Sequence, residues 1–130
     1  MHETHHLAHE AASVGVARHR LRAALEREGV GESVVYDATL VLSELVSNAV
    51  QHGRPDRRGR LEVCWTLERD RLVLEVTDHG HSTMPTIRPE DLDADRGRGL
   101  VIVDQVCESW RVDQNDDHTC VVAEMVLAVA

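Results

Sequence analysis

Glu44, Asn48 and His52 recur at intervals of four within SELVSNAVQHG, residues 43–53. Residues four apart are neighbours on a helix surface, and each such step drifts only about 40° around the axis. The three polar residues therefore make one stripe on a segment whose other members, Leu45, Val46, Ala49 and Val50, belong in a core. An unpaired buried polar group costs on the order of 1–3 kcal/mol, so the stripe is either a solvated edge or the wall of a site. Two further features resist a purely structural account. Asp78, followed by Gly80, closes an alternating segment on its core side, and Gly97-Arg98-Gly99-Leu100 turns into an apolar run.

A nucleotide would satisfy all three features. Asn48 offers a side-chain oxygen to a hydrated Mg2+, an ion that prefers oxygen ligands and keeps waters beside phosphate oxygens. Glu44, one turn earlier, can accept a proton from an attacking water or hydroxyl. Asp78 can accept a hydrogen bond from an exocyclic amine such as that of adenine. Gly97 and Gly99 leave backbone N–H groups free to approach phosphates at a helix N-terminus, where the dipole favours anions. Each signal is weak alone: an i, i+4 pair is common on helices, DxG often marks a simple turn, and His52 also suits a helix C-terminus. Their order and spacing carry the weight.

The elements that must position these residues follow from hydrophobic periodicity. A helical pattern from about Ala8 to Glu28 places Val14, Ala17, Leu21, Ala24 and Leu25 on one face, and Gly29 ends it. The spacing predicts a second helix from an N-cap at Ser33 to His52, with Gly53 beyond it. LEVCWTL, 61–67, and RLVLEVTD, 71–78, alternate with period two and read as a hairpin turned at ERD. Residues 79–99 lack periodicity, as functional loops inside compact domains do. GLVIVDQVCE predicts a short helix, and SWRVDQ and TCVVAEMVLAV a closing hairpin turned at residues 115–117. The expected order, α-α-β-β-loop-α-β-β, is a two-layer α+β sandwich with a mainly antiparallel mixed sheet and helices on one face.

The chain of 130 residues reads as one domain over 10–130, preceded by a flexible, frayed segment over 1–9 that carries His2, His5, His6 and His9. Those imidazoles could bind metal adventitiously. Lys is absent, and the net charge of -9 argues against nonspecific nucleic-acid binding while leaving room for a local Arg-lined site. The start lacks the basic and apolar regions of a secretory signal, and no apolar run reaches a membrane span, so a cytoplasmic location without membrane contact is expected. Cys64, Cys107 and Cys120 have no CxxC spacing and read as reduced packing residues.

The ordered motifs resemble those of the GHKL ATPase superfamily, whose Bergerat-type fold serves histidine kinases, type II topoisomerases, a heat-shock chaperone and mismatch-repair ATPases. SELVSNAVQHG resembles the N-box, DHGHS the first glycine box and RGRGLVIV the second. The chain is most similar to stand-alone anti-sigma factor serine kinases, and in particular to their short actinobacterial relatives, from about Arg18 to Leu127. The resemblance implies ATP and Mg2+ as cofactors. It assigns Asn48 to Mg2+, Glu44 to general-base catalysis and His52 to the phosphate neighbourhood. Asp78 and Gly80 fall to adenine, Gly97, Arg98, Gly99 and Leu100 to the phosphate-side turn, and residues 81–96 to the ATP lid. Its implied partners are a sigma factor and an anti-sigma-factor antagonist that is phosphorylated on serine, within a homodimer. Ser82 stands where the family's box ends in glycine, and its side chain restricts the backbone there. That departure favours the alternative expectation, a non-catalytic switch that captures a regulator with or without nucleotide. A plain ATPase is the third.

Overall fold

The computed structural model describes residues 1–79, 107–115 and 117–127. The described elements are β1 (His2–Ala8), α1 (Ala12–Arg27), α2 (Glu32–His52), β2 (Arg60–Leu67), β3 (Arg71–Asp78), β4 (Ser109–Gln114) and β5 (Thr119–Val126). The five strands form one sheet in the order β1-β2-β3-β5-β4. Every described pairing is antiparallel, so the mixed character expected of the sheet is not found among these strands.

Alternation decides which face is covered. Leu61, Val63 and Trp65 of β2, Leu72, Leu74 and Val76 of β3, and Val121, Ala123 and Met125 of β5 are all buried. They join Leu21, Leu25, Val35, Leu42, Leu45 and Val46 of the two helices in one core. Burying such a face is the principal stabilising term. The two described helices lie on this side, α2 against β3 and β5 and α1 against α2 and β1. The predicted architecture is the observed one: two layers, helices on one face.

Both helix ends are set locally. The C-terminus of α1 is a Schellman motif: Gly29, at φ +76°, donates to the Glu26 carbonyl, and Val30 N–H reaches the Leu25 carbonyl. The N-terminus of α2 differs from expectation. Gly31, not Ser33, is the N-cap, no side chain caps it, and Glu32 supplies the acidic first turn. Inside α2, the buried hydroxyls of Thr39 and Ser43 donate back to the Val35 and Thr39 carbonyls at 2.9 and 2.7 Å.

The N-terminal segment is a correction. Residues 2–8 were expected to fray and instead form β1, paired to β2 from His2↔Thr66 to Ala8↔Arg60. The helix expected from Ala8 accordingly begins at Ala12. Glu3, His5 and Leu7 point to the helix side: Leu7 is buried, His5 stacks on Trp65 with ring centroids 4.7 Å apart, and Arg27 of α1 bonds Glu3 at 3.0 Å. A histidine-rich strand with one aliphatic inward residue carries almost no hydrophobic signal, which is why periodicity passes over it. Leu7→Ala is expected to cost about 2–4 kcal/mol in urea unfolding. An unchanged midpoint would mean that β1 contributes nothing to the core.

The three cysteines are free, as expected. Only Cys107 is buried in the core; Cys64 and Cys120 lie half-buried on the outer sheet face, and burial raises both thiols above their ordinary pKa. Among the described residues no group of three His, Cys, Asp or Glu side chains could hold a metal ion, the N-terminal histidines included. No described helix is long and apolar enough to cross a membrane.

Candidate functional site

The site forms where the end of α2 meets the end of β3. Asp78 closes β3 on the inner face, as the period-two count requires, and is only 6% exposed. Thr119 of β5 lies directly across from it in register and is likewise buried, and Gln114 of β4 pairs with Thr119 in turn. The Gln114 amide donates to the Thr119 hydroxyl at 3.3 Å. A polar row, Asp78-Thr119-Gln114, thus crosses three strands at one end of an otherwise apolar face.

Gly53 makes the approach of α2 to this row feasible. It caps the helix in extended conformation and donates to the Ala49 carbonyl at 2.8 Å. A Cβ at this position would overlap the Asp78 carboxyl group and stand 2.7 Å from the Ala49 oxygen. The next residue, Arg54, accepts a hydrogen bond from His79 N–H at 2.9 Å, tying the chain after α2 to the end of β3. His9 adds a third tie, its Nε2 lying 3.0 Å from the Ala49 carbonyl oxygen.

Gly53→Ala is therefore expected to lose about 1–3 kcal/mol of stability, because overpacking forces the helix end or the strand end to move. Thermal unfolding checks the size, and a double-mutant cycle with Asp78→Ala checks the cause. If the carboxyl overlap is responsible, the penalty shrinks when Asp78 is already truncated. An equal penalty in both backgrounds would place the strain on the Ala49 side.

Along α2, His52, Asn48 and Glu44 are all half-buried, one helical turn apart. Glu44 lies nine residues before Gly53, about 13 Å along the axis. The helix stripe and the strand end thus present a buried acceptor at one end and the Asn48 amide and Glu44 carboxyl further along. Burial raises the Glu44 carboxyl above its ordinary pKa of 4.5, the direction that suits a general base near neutral pH.

Of the residues expected from sequence, the structure brings Asp78 to the C-terminal end of the Glu44-Asn48-His52 stripe. Gly80, Gly97, Arg98, Gly99, Leu100, Ser82 and the lid over 81–96 lie outside the described residues. The helix expected over 99–108 mostly does too; its last two positions, Cys107 and Glu108, are not helical, and Glu108 N–H bonds the Glu124 carbonyl as a lead-in to β4. Sequence reasoning missed Gly53, read only as a helix stop, and the Thr119-Gln114 pair. Thr119 did carry a signal, as a polar residue in phase with Val121, Ala123 and Met125.

The arrangement suits an adenine nucleotide. A buried carboxylate in a space kept open by glycine can accept from an exocyclic amine, Asn48 offers a hard oxygen of the type Mg2+ takes, and Glu44 offers a carboxylate able to accept a proton.

Comparisons with known proteins bear on the same point. The histidine kinase-like ATPase domain family matches residues 7–125. The chain is similar to the serine-protein kinase RsbW of Bacillus subtilis (strain 168), with 26% identity over 118 residues, 82% of this chain and 74% of the relative. The RsbW of Bacillus velezensis is 27% identical over 122 residues, 85% of this chain and 76% of that one. Among solved structures, the RsbU and RsbW domains of a Mycobacterium tuberculosis protein superimpose with a TM-score of 0.73 at 20% identity over 98% of this chain, which spans only 34% of that longer one. A chain of the SiaB-SiaC complex from Pseudomonas aeruginosa gives 0.62 at 16% identity, over 96% of this chain and 89% of that one. The two structural likenesses concern the fold.

Proposed function

The chain belongs to the histidine kinase-like ATPase domain family, and from that premise we propose that it is an ATP-dependent serine/threonine protein kinase of the anti-sigma-factor type. In this reading it acts in the cytoplasm, holds a sigma factor and phosphorylates a serine of an anti-sigma-factor antagonist. One observation carries the nucleotide site: the buried Asp78 carboxylate set against Gly53, at the end of the Glu44-Asn48-His52 stripe. The resemblance to serine-protein kinases named RsbW supports the choice of reaction. A chain of the same fold is solved in the SiaB-SiaC complex, which fits a reading in which this chain also has a protein partner.

Asp78 orients the base by accepting from its exocyclic amine, and Thr119 and Gln114 extend the polar lining beside it. Asn48 would hold Mg2+ through its side-chain oxygen, the ligand type that this ion takes. His52 stands at the C-terminal end of the stripe. Bound Mg-ATP supplies the phosphoryl group and offsets charge on it. Glu44 would take the proton of the acceptor serine hydroxyl as that oxygen bonds to the γ-phosphorus, the bond to the bridging oxygen breaking and ADP leaving with its electron pair. In phosphoryl transfer the protein contributes chiefly position and charge stabilisation, so a rigid helix is a suitable carrier for Glu44 and Asn48. Gly80, Gly97, Arg98, Gly99 and Leu100 are proposed to complete the nucleotide contacts.

Calorimetric titration with ATP, with and without Mg2+, tests the reading beside Asn48→Ala. The expected result is Mg-dependent binding in the wild type that loses its Mg2+ response in the variant. Transfer of labelled γ-phosphate to a serine of an antagonist protein then separates a kinase from a plain ATPase, which releases inorganic phosphate without labelling protein. Nucleotide binding with neither product would indicate a non-catalytic switch.

A further inference from the structure

A second concave feature lies outside the stripe. Asp56, Arg57, Arg58, Arg60, His79 and Asp117 line an open basin of about 540 Å3, a size typical of pockets that take ligands with several functional groups. None of the three arginines makes an ion pair within 4.0 Å with a described residue. Three guanidiniums gathered in one concavity are notable in a chain of net charge -9.

The loop that presents them is preorganised. Asp56 Oδ1 accepts from the backbone N–H groups of Arg58 and Arg60 at 2.8 and 2.9 Å. Asp56 and Arg60 also pair through their backbones at 2.9 Å, Gly59 turns at φ +76°, and its carbonyl accepts from His9 N–H at 2.9 Å. The Asp56 carboxylate is held below its ordinary range, first by the Arg60 N–H, then by the Arg58 N–H and by the charges of Arg60 and His79. That carboxylate is committed to the loop, while the Arg57 and Arg58 side chains are exposed and Arg60 is half-buried with its Nε covered. A loop fixed before binding loses less entropy when a ligand arrives.

We propose that this basin is a docking pocket for an acidic segment, carrying two or more carboxylates, of the protein partner. Guanidinium forks match carboxylates in bidentate geometry. A uniformly anionic polymer fits less well, because Asp117 stands on the rim and the whole chain repels it at long range. A peptide with separated carboxylates and polar residues between them meets both signs of the rim. The inference rests on the reading that the protein acts on another protein. His79 links the pocket to the nucleotide site, since it directly follows Asp78 and its N–H bonds the Arg54 carbonyl.

The test uses the whole chain and a fluorescent peptide of alternating Glu and Ser, read by anisotropy, beside its Gln-for-Glu counterpart and a single-stranded oligonucleotide. The Glu peptide is expected to bind and the Gln peptide not, with affinity falling steeply from low salt to about 0.15 M. Arg57→Glu with Arg58→Glu is expected to weaken binding about tenfold, a loss of about 1.4 kcal/mol. Arg18→Glu with Arg22→Glu, the same charge change on α1, should not. Equal binding of both peptides, an equal loss in the α1 control, or preference for the oligonucleotide would overturn the proposal. ATP titration of the same samples separates the two readings. Peptide binding without ATP binding leaves the docking pocket and sinks the kinase, and ATP binding without peptide binding does the reverse.

Discussion

Asp78→Ala is expected to weaken ATP binding by about ten- to a hundredfold, since hydrogen bonds to charged groups contribute on the order of 1.5–3 kcal/mol. The carboxylate is buried at the end of a strand, and its inner-face neighbour on β5, Thr119, is polar and buried as well. Asp78→Asn is the milder test, because its side-chain oxygen still accepts while the charge is gone; its loss should fall between those of wild type and Asp78→Ala. A second comparison removes the donor instead. Inosine triphosphate lacks the exocyclic amine, and wild type should discriminate strongly against it, as sites built around a substrate N–H do. Equal affinity of wild type for ATP and inosine triphosphate would remove Asp78 from base recognition, whatever the variants did.

The second large effect concerns Glu44. Glu44→Gln is expected to reduce phosphotransfer by about 10^2 to 10^4, the range attributed to a positioned general base, while ATP affinity stays near wild type. Full transfer by this variant would sink the role assigned to Glu44. The pH dependence gives an independent reading. Burial raises the Glu44 pKa above 4.5, and the base works only when ionised. The acidic limb of the rate profile should therefore lie above the ordinary glutamate range and vanish in Glu44→Gln. Stability runs the other way. The native state holds this proton more tightly than the unfolded chain, so the stabilisation is complete at pH below the unfolded value and is lost as pH rises through the elevated one. At neutral pH the ionised Glu44 is a small burden on the fold, and Glu44→Gln should melt no lower than wild type. A variant that loses transfer without losing stability points to a residue kept for function.

The same logic explains why Gly53 and Asp78 are best considered together. The helix cap could hold many residues if it ended in solvent. It ends against a carboxylate, where even a methyl group overlaps. Small size at that position and charge across from it are two halves of one contact, and neither is meaningful from its own segment.

Periodicity alone determined a good deal about this protein. It placed the Glu44-Asn48-His52 stripe on a long helix, the alternating strands on either side of the first hairpin, and Asp78 on the core side of its strand. These are properties of single windows, in which a repeat of 3.6 or of 2 records which side chains must leave water. Only the tertiary structure decided the rest. It recruited residues 2–8 as an edge strand, through backbone pairing with β2 and one buried leucine. It set Thr119 and Gln114 beside Asp78 through register across β3, β5 and β4. It gathered Arg57, Arg58 and Arg60 with His79 and Asp117, far along the chain, around one basin. Each of these depends on which segments become neighbours, and that is settled by the closure of the whole sheet over one core, not by the pattern of any one stretch.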